Sequence, residues 1–258
     1  MLKILLHRAT QGHRTLGYPA TTAVLPDRFR GRPEIDATRC PEGCRECVSV
    51  CPTDALAVDE RGLKLDLGRC LFCPECVEAC PAGALAHTTD HRLAASARED
   101  LIVRDREVVL ARALETRTRK LFGRSLKLRQ VSAGGCNACE ADLNVLSTVV
   151  FDLGRFGIQF VASPRHADGV VVTGPVTENM RSALRATYDA VPAPKIVIAV
   201  GACAISGGPY IGHPEAHDGA GSVLPVDLFV PGCPPHPLTI LDGLLRLLGR
   251  IEEGSPRA

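Results

Sequence analysis

The sequence has no excess of either charge. Its 258 residues carry 30 basic and 29 acidic side chains, a net charge of +1, which gives no electrostatic footprint for nucleic acid and none for an anionic membrane surface. No apolar run comes near the roughly 20 residues that a bilayer-spanning helix needs. The stretch MLKILLHRATQGHR lacks the apolar length and small-residue cleavage site of a signal peptide, and there is no twin-arginine pair. These absences predict a cytoplasmic protein, and in a reducing compartment the 12 cysteines are metal ligands before they are disulfides. Nucleophile, general-base and phosphate-loop motifs are absent too. The chemistry therefore has to come from the cysteines. With 45% hydrophobic residues, the chain can bury an ordinary core in one or two domains.

Composition divides the chain. Residues 1–34 form a basic, turn-rich N-terminal extension with little periodicity. Residues 35–91 hold eight cysteines and an internal repeat, in which CPTDALAV from Cys51 returns as CPAGALAH from Cys80. LAVD and LKLDL read as short strands around the turn-prone ERG, so this is a small two-fold module. Residues 92–125 are rich in Arg, Glu, Ala and Leu, with Leu110, Leu114 and Leu121 suited to one helical face. They predict a helical linker, a solvated charged helix or one that binds a partner. From 126 to 258 the runs LKLRQV, IQFVA, GVVVTG, KIVIAVG and DLFVPG alternate with helical spacing. Runs apolar on both faces and joined by helices predict a parallel sheet covered on both sides.

The block Cys70-x2-Cys73-x2-Cys76-x3-Cys80-Pro81 is the bacterial ferredoxin run for a [4Fe–4S] cluster. The block before it, Cys40-x3-Cys44-x2-Cys47-x3-Cys51-Pro52, has one extra residue in its first spacer. In such runs the fourth cysteine reaches across to the other cluster. The expected sets are therefore Cys40, Cys44, Cys47 and Cys80 for one cluster, and Cys70, Cys73, Cys76 and Cys51 for the other. The longer spacer leaves a [3Fe–4S] centre open at Cys40. Zinc is the main alternative, but zinc sites usually take cysteines two by two with a long gap between pairs.

Four cysteines remain. Cys136 and Cys139 follow the run LKLRQV, Cys203 follows KIVIAVG and Cys233 follows DLFV. All lie just past the carboxyl end of a predicted strand, where ligands gather in an open parallel sheet. Gly134, Gly135, Gly201, Gly207, Gly208 and Gly232 allow tight turns and close backbone approach. A third [4Fe–4S] cluster is expected here. The rival, a thioredoxin-like dithiol of Cys136 and Cys139, leaves Cys203 and Cys233 as unrelated buried thiols. Among other candidates, His213 and His217 have helical zinc-ligand spacing but sit in a Pro- and Gly-bearing loop. His236 could hydrogen-bond a cluster or a partner, or be a plain loop residue. Glu140 would open a helix, where the dipole favours a carboxylate, with a proton-relay role as its alternative.

CNAC, TGPVTENM, GACAISGG and PGCPPHP resemble the small subunits of [NiFe] hydrogenases and the quinone-site cluster subunit of respiratory complex I, over roughly residues 120 to 250. Complex I subunits typically have adjacent cysteines first, whereas Cys136-Asn-Ala-Cys139 is the hydrogenase spacing. FRGRPEID and LGRC make the N-terminal part similar to the two-cluster ferredoxin-type subunit of formate hydrogenlyase. The whole chain thus resembles a fusion of two neighbouring subunits of a group 4 membrane-associated hydrogenase. The resemblance implies an α/β fold, with a two-[4Fe–4S] ferredoxin-like module joined by the linker to a flavodoxin-like open parallel sheet. It implies that Cys136, Cys139, Cys203 and Cys233 hold the proximal cluster beside a [NiFe] large subunit that carries the catalytic metals, so no catalytic residue is expected on this chain. It further implies membrane-arm partner proteins, formate dehydrogenase or another electron donor or acceptor, and a place on the inner face of the cell membrane through partner subunits. The alternatives are the same wire in a nickel-free, quinone-linked complex, and a soluble ferredoxin-like carrier acting alone.

Overall fold

The cysteine repeat of the sequence folds as a structural repeat. In the computed structural model, which describes residues 2–105 and 107–251, helix α1 (Leu2–Gln11) precedes strand β1 (Pro33–Ile35). Each cysteine block then gives a one-turn helix followed by a strand. The first gives α2 (Glu46–Ser49) and β2 (Leu56–Asp59), with β3 (Gly62–Asp66) returning as a hairpin, and the second gives α3 (Glu75–Glu78) and β4 (Leu85–His87). β1 pairs antiparallel with β4, placing Ile35 opposite Leu85, and β2 pairs with β3, placing Leu56 opposite Leu65. All four of these side chains are buried, so both ladders close over one small core.

Segment 92–125 differs from the expected helical linker. β5 (Ile102–Val103) adds a strand beside β3, and among the segment's described residues the only α-helix is α4 (Thr116–Phe122). Leu110 and Leu114 lie outside it, because the backbone here bonds elsewhere: Ala111 N–H to the Ala94 carbonyl at 2.7 Å and Leu114 N–H to the Leu247 carbonyl at 2.9 Å. Leu101 and Val103 are buried, while Arg98 and Arg104 make two-pronged pairs with Asp66 and Asp59. Tertiary pairing overrides helix propensity.

The β-branched runs of the C-terminal half, suited to a pleated surface, become strands. They are β6 (Leu126–Ser132), β7 (Ile158–Phe160), β8 (Gly169–Thr173), β9 (Ile196–Val200) and β10 (Leu228–Val230). Between and after them come α5 (Ala138–Val145), α6 (Glu178–Ala190), α7 (Ala202–Ser206) and α8 (Pro237–Leu247). The sheet order is β10-β9-β8-β6-β7 and every pairing is parallel. That is the flavodoxin-like order, with its topological switch between β6 and β8. β8, β9 and β10 are buried throughout, so both faces must be covered. On one face Leu241, Leu244 and Leu245 of α8 pack with Leu128, Val171, Ile198 and Val230. On the other, Val170, Val172, Val197 and Ala199 share a core with Leu184 of α6 and with Leu65, Leu67 and Leu101 of the N-terminal half. Ser206 Oγ donates to the Gly68 carbonyl at 2.9 Å, and Ala95 and Phe229 exchange backbone hydrogen bonds. The two halves are thus packed through one continuous apolar core.

The N-terminal extension is also tied in. Leu16 N–H bonds the Val150 carbonyl at 2.8 Å. Tyr18 Oη donates to Asp242 Oδ1 at 2.6 Å, and Arg246 Nε donates to Asp242 Oδ2 at 2.8 Å. Asp242 is 0% and Arg246 3% exposed. Burial, then the Asp242 charge, push Tyr18 ionisation far above its usual range, so the phenol stays a donor. Asp242→Ala strands a buried guanidinium, which should cost about 3–5 kcal/mol of stability. Tyr18→Phe removes only the hydrogen bond to a charged group and should cost about 1.5–3 kcal/mol. Denaturant unfolding of the two variants checks both the size and the order.

Candidate metal centres

The twelve cysteines fall into three groups of four. Cys70, Cys73 and Cys76 of the second block line one cavity together with Cys51 of the first. Burial pushes the Cys70 thiol up to about 12 and Cys76 up to about 11, and Cys51 and Cys73 add to both shifts by charge repulsion. In the other group, burial and then the charges of Cys40, Cys80 and Cys44 push Cys47 up to about 11, and Cys40 is raised by burial, Cys44 and Cys80. The fourth cysteine of each block has therefore crossed over to the other block's group. The cause is the repeat itself: β2 and β4 each leave their block through Cys-Pro, and the two blocks face one another. Equivalent amides point at equivalent sulfurs, Ala55 N–H to Cys51 Sγ and Ala84 N–H to Cys80 Sγ, both at 3.2 Å. Phe72 N–H adds a bond to Cys70 Sγ at 3.3 Å.

The third group forms on the carboxyl edge of the parallel sheet. Cys136 and Cys139 follow β6 at the switch point, Cys203 lies in α7 just after β9, and Cys233 follows β10. Asn137, at φ 71°, takes the left-handed turn that its short polar side chain tolerates and opens α5, so that Cys139 sits in the first turn. Burial, then Cys203, Glu140, Cys233 and Cys136, raise the Cys139 thiol far above its ordinary value. Cys203 is pushed up to about 11, chiefly by burial and then by Cys233 and Cys136. Gly201 has φ +93° and a Cβ there would lie 2.5 Å from Cys139 Sγ; at Gly208 it would lie 2.9 Å from Cys203 Sγ. Only glycine lets backbone approach these sulfurs so closely.

Two links join the groups. Cys47 acts on Cys76, and Cys73 acts on Cys233. The Cys51, Cys70, Cys73 and Cys76 group is therefore the middle one of a series. Four thiols pressed together cannot all ionise unless positive charge sits among them. Soft thiolate donors in fours, with amide donors to sulfur, suit iron–sulfur clusters. Among the described residues, no three His, Cys, Asp or Glu side chains close on a single ion.

The remaining candidates have ordinary partners. His213 Nδ1 accepts from Glu215 N–H at 3.2 Å and His217 pairs with Glu178, so these two imidazoles do not converge. His236 Nδ1 caps α8 by accepting from Leu238 N–H at 3.2 Å, and burial lowers its pKa to about 4. Glu140 is buried, and its Oε1 accepts from Thr173 Oγ1 at 2.6 Å. Burial pushes this carboxyl up, but the Ser132 and Thr173 hydroxyls outweigh it and leave it below its usual range. Ser132 ends β6 and Thr173 ends β8, partners invisible in local sequence.

Residues 136–247 match the family described as NADH ubiquinone oxidoreductase, 20 kDa subunit, and residues 39–84 match the 4Fe–4S dicluster domain. A probable membrane-bound hydrogenase subunit of Pyrococcus furiosus is 42% identical over 132 residues, 51% of this chain and 79% of that one. The chain belongs to the 20 kDa subunit family. Formate hydrogenlyase subunit 7 of Escherichia coli is 42% identical over 134 residues, covering 52% of each chain. An NADH-quinone oxidoreductase subunit of Clostridium beijerinckii is 42% identical over 118 residues, 45% of this chain and 70% of that one. The 20 kDa family match takes in the whole third group, and the dicluster match takes in all eight N-terminal cysteines. The relatives named are subunits of oxidoreductases, and the dicluster domain binds 4Fe–4S clusters.

Gly201→Ala forces a methyl into Cys139 Sγ and an alanine into φ +93°. The variant should lose about 1–3 kcal/mol of stability. Ser206→Ala, which removes one hydroxyl at the module junction, should lose about 1 kcal/mol. Thermal unfolding of both variants against the parent tests this, and a Gly201→Ala variant as stable as the parent would contradict a backbone held against sulfur at Gly201.

Proposed function

We propose that the chain is the electron-transfer subunit of a membrane-associated oxidoreductase complex of the hydrogenase and formate hydrogenlyase kind, carrying three [4Fe–4S] clusters in series. Cys40, Cys44, Cys47 and Cys80 hold the first; Cys70, Cys73, Cys76 and Cys51 hold the second; Cys136, Cys139, Cys203 and Cys233 hold the proximal one. The observation that carries this reading is the grouping itself: Cys51, Cys70, Cys73 and Cys76 line one cavity, and charge repulsion couples this group to Cys47 on one side and to Cys233 on the other. Bound, the clusters supply reversible one-electron transfer. The chain's own residues hold them by thiolate, donate amide hydrogen bonds to sulfur from Ala55, Phe72 and Ala84, and exclude water from the buried Cys47 and Cys70.

The proximal group opens outward. Cys136 and Cys233 are exposed, as is Pro234 beside them, and this edge is the surface for a large subunit that carries the catalytic metals. Relatives named as subunits of a membrane-bound hydrogenase and of formate hydrogenlyase support a place among partner subunits of such a complex. On this reading the partners are a [NiFe] large subunit, membrane-arm subunits, and formate dehydrogenase or another donor, as the sequence resemblance implies. The match to an NADH-quinone oxidoreductase subunit favours a second reading, the same wire against a nickel-free, quinone-linked partner. Nickel analysis of the purified complex separates the two. Among the described residues, no helix is long and apolar enough to cross a membrane.

Anaerobic preparations should contain about twelve iron and about twelve acid-labile sulfide per chain, and stoichiometric zinc with little iron would overturn the assignment. Cys51→Ala should damage the cluster of Cys70, Cys73 and Cys76 while sparing that of Cys40, Cys44 and Cys47. Electron paramagnetic resonance reads this directly, and loss of the signal from its own sequence block instead would refute crossed ligation.

A further inference from the structure

Helix α1 buries none of its ten residues, and Leu2, Ile4, Leu5 and Leu6 are 83%, 71%, 66% and 65% exposed. At helical spacing, Leu2, Leu5, Leu6 and Ala9 form one stripe, with Lys3 along one flank and Arg8 along the other. Further exposed apolar side chains lie where the chain beyond the helix meets the body of the protein. Thr15 and Leu16, just beyond the helix, bond the Val149 and Val150 carbonyls, and the Val149 and Val150 side chains are themselves 65% and 39% exposed. A helix this short is marginal in water unless something covers its apolar side.

The charge around the stripe has one sign. Lys3, Arg8 and Arg14 precede the first acidic residue, Asp27, and Arg28 and Arg30 follow it. Whole-chain neutrality hides this local excess. An apolar stripe flanked by cations on both sides, with no acid for 26 residues, is complementary to anionic headgroups over acyl chains. Long basic side chains reach out to the headgroups from the edges of such a stripe.

We propose that α1 is an interfacial anchor that lies in the surface of an anionic lipid leaflet, with Leu2, Leu5, Leu6 and Ala9 among the acyl chains and Lys3 and Arg8 on the phosphates. It goes beyond the electron-transfer reading and does not depend on it: the chain holds the membrane surface by its own residues as well as through partner subunits.

The test is flotation of the full chain with vesicles of phosphatidylglycerol and phosphatidylcholine, and with vesicles of phosphatidylcholine alone. The chain should bind the anionic vesicles at least tenfold more tightly, and high salt should weaken that binding. The double variants Leu5→Ser with Leu6→Ser, and Lys3→Glu with Arg8→Glu, should each lose at least tenfold in affinity. Their thermal unfolding should be unchanged, because α1 adds nothing to the core. Equal binding to both vesicle types, or variants that bind like the parent, would overturn the proposal. So would a parent chain that ignores vesicles while the α1 variants shed a polypeptide from the isolated complex, because the stripe would then belong to a protein groove.

Discussion

Thiols crowded in fours, partly out of water, are the constraint on which the rest of the structure depends. Burial and mutual repulsion hold Cys47, Cys76 and Cys203 near 11 and Cys70 near 12, well above an ordinary thiol. Such groups stay neutral until a cationic core replaces their protons, so on the proposed ligation cluster assembly releases protons and is coupled to the stability of the fold. The local backbone serves the same end. Gly201 and Gly208 press main chain against two sulfurs, and three amides of the N-terminal module are aimed at three others.

Electron transfer weakens steeply with separation, so a wire needs a scaffold that does not flex between its stations. Here the module holding eight cysteines and the sheet holding four share one apolar core. Leu65, Leu67 and Leu101 belong to the same cluster of buried residues as Val170, Val172 and Phe229. A Cβ at Gly68 would already overlap Ile205, which measures how tightly the two halves meet. The switch point between β6 and β8 sets Cys136 and Cys139 on the sheet's carboxyl edge, and β9 and β10 bring Cys203 and Cys233 to the same edge. The third group therefore lies both at a protein surface and next to the middle group.

Much of this was legible in the chain because the signals are local. A parallel sheet buried on both faces leaves continuous β-branched runs, and GVVVTG and KIVIAVG show them. Cysteine spacing, and the return of CPTDALAV as CPAGALAH, marked the two-fold module and the exchange of Cys51 and Cys80 between its groups. What was not legible depends on partners distant in sequence. Segment 92–125 carries helical composition, yet its backbone is spent on Ala94, Leu247 and β3. Glu140 looked like a helix-opening carboxylate, and only the fold brings it to Ser132 and Thr173. The stretch 1–34 gave little periodicity because its one helix is ten residues long, while Tyr18 is fixed by a carboxylate 224 positions away.

The central claim, three clusters in series with the proximal one at the exposed edge, rests most directly on Cys139. The measurement is electron paramagnetic resonance of the dithionite-reduced complex, taken together with its coupled turnover, for Cys139→Ser against the parent. The series predicts that the proximal signal is changed or lost, that both N-terminal clusters remain reducible, and that turnover coupled to the physiological partner collapses. Three unaltered clusters with normal coupled turnover would contradict it, and Cys139 would then be no ligand.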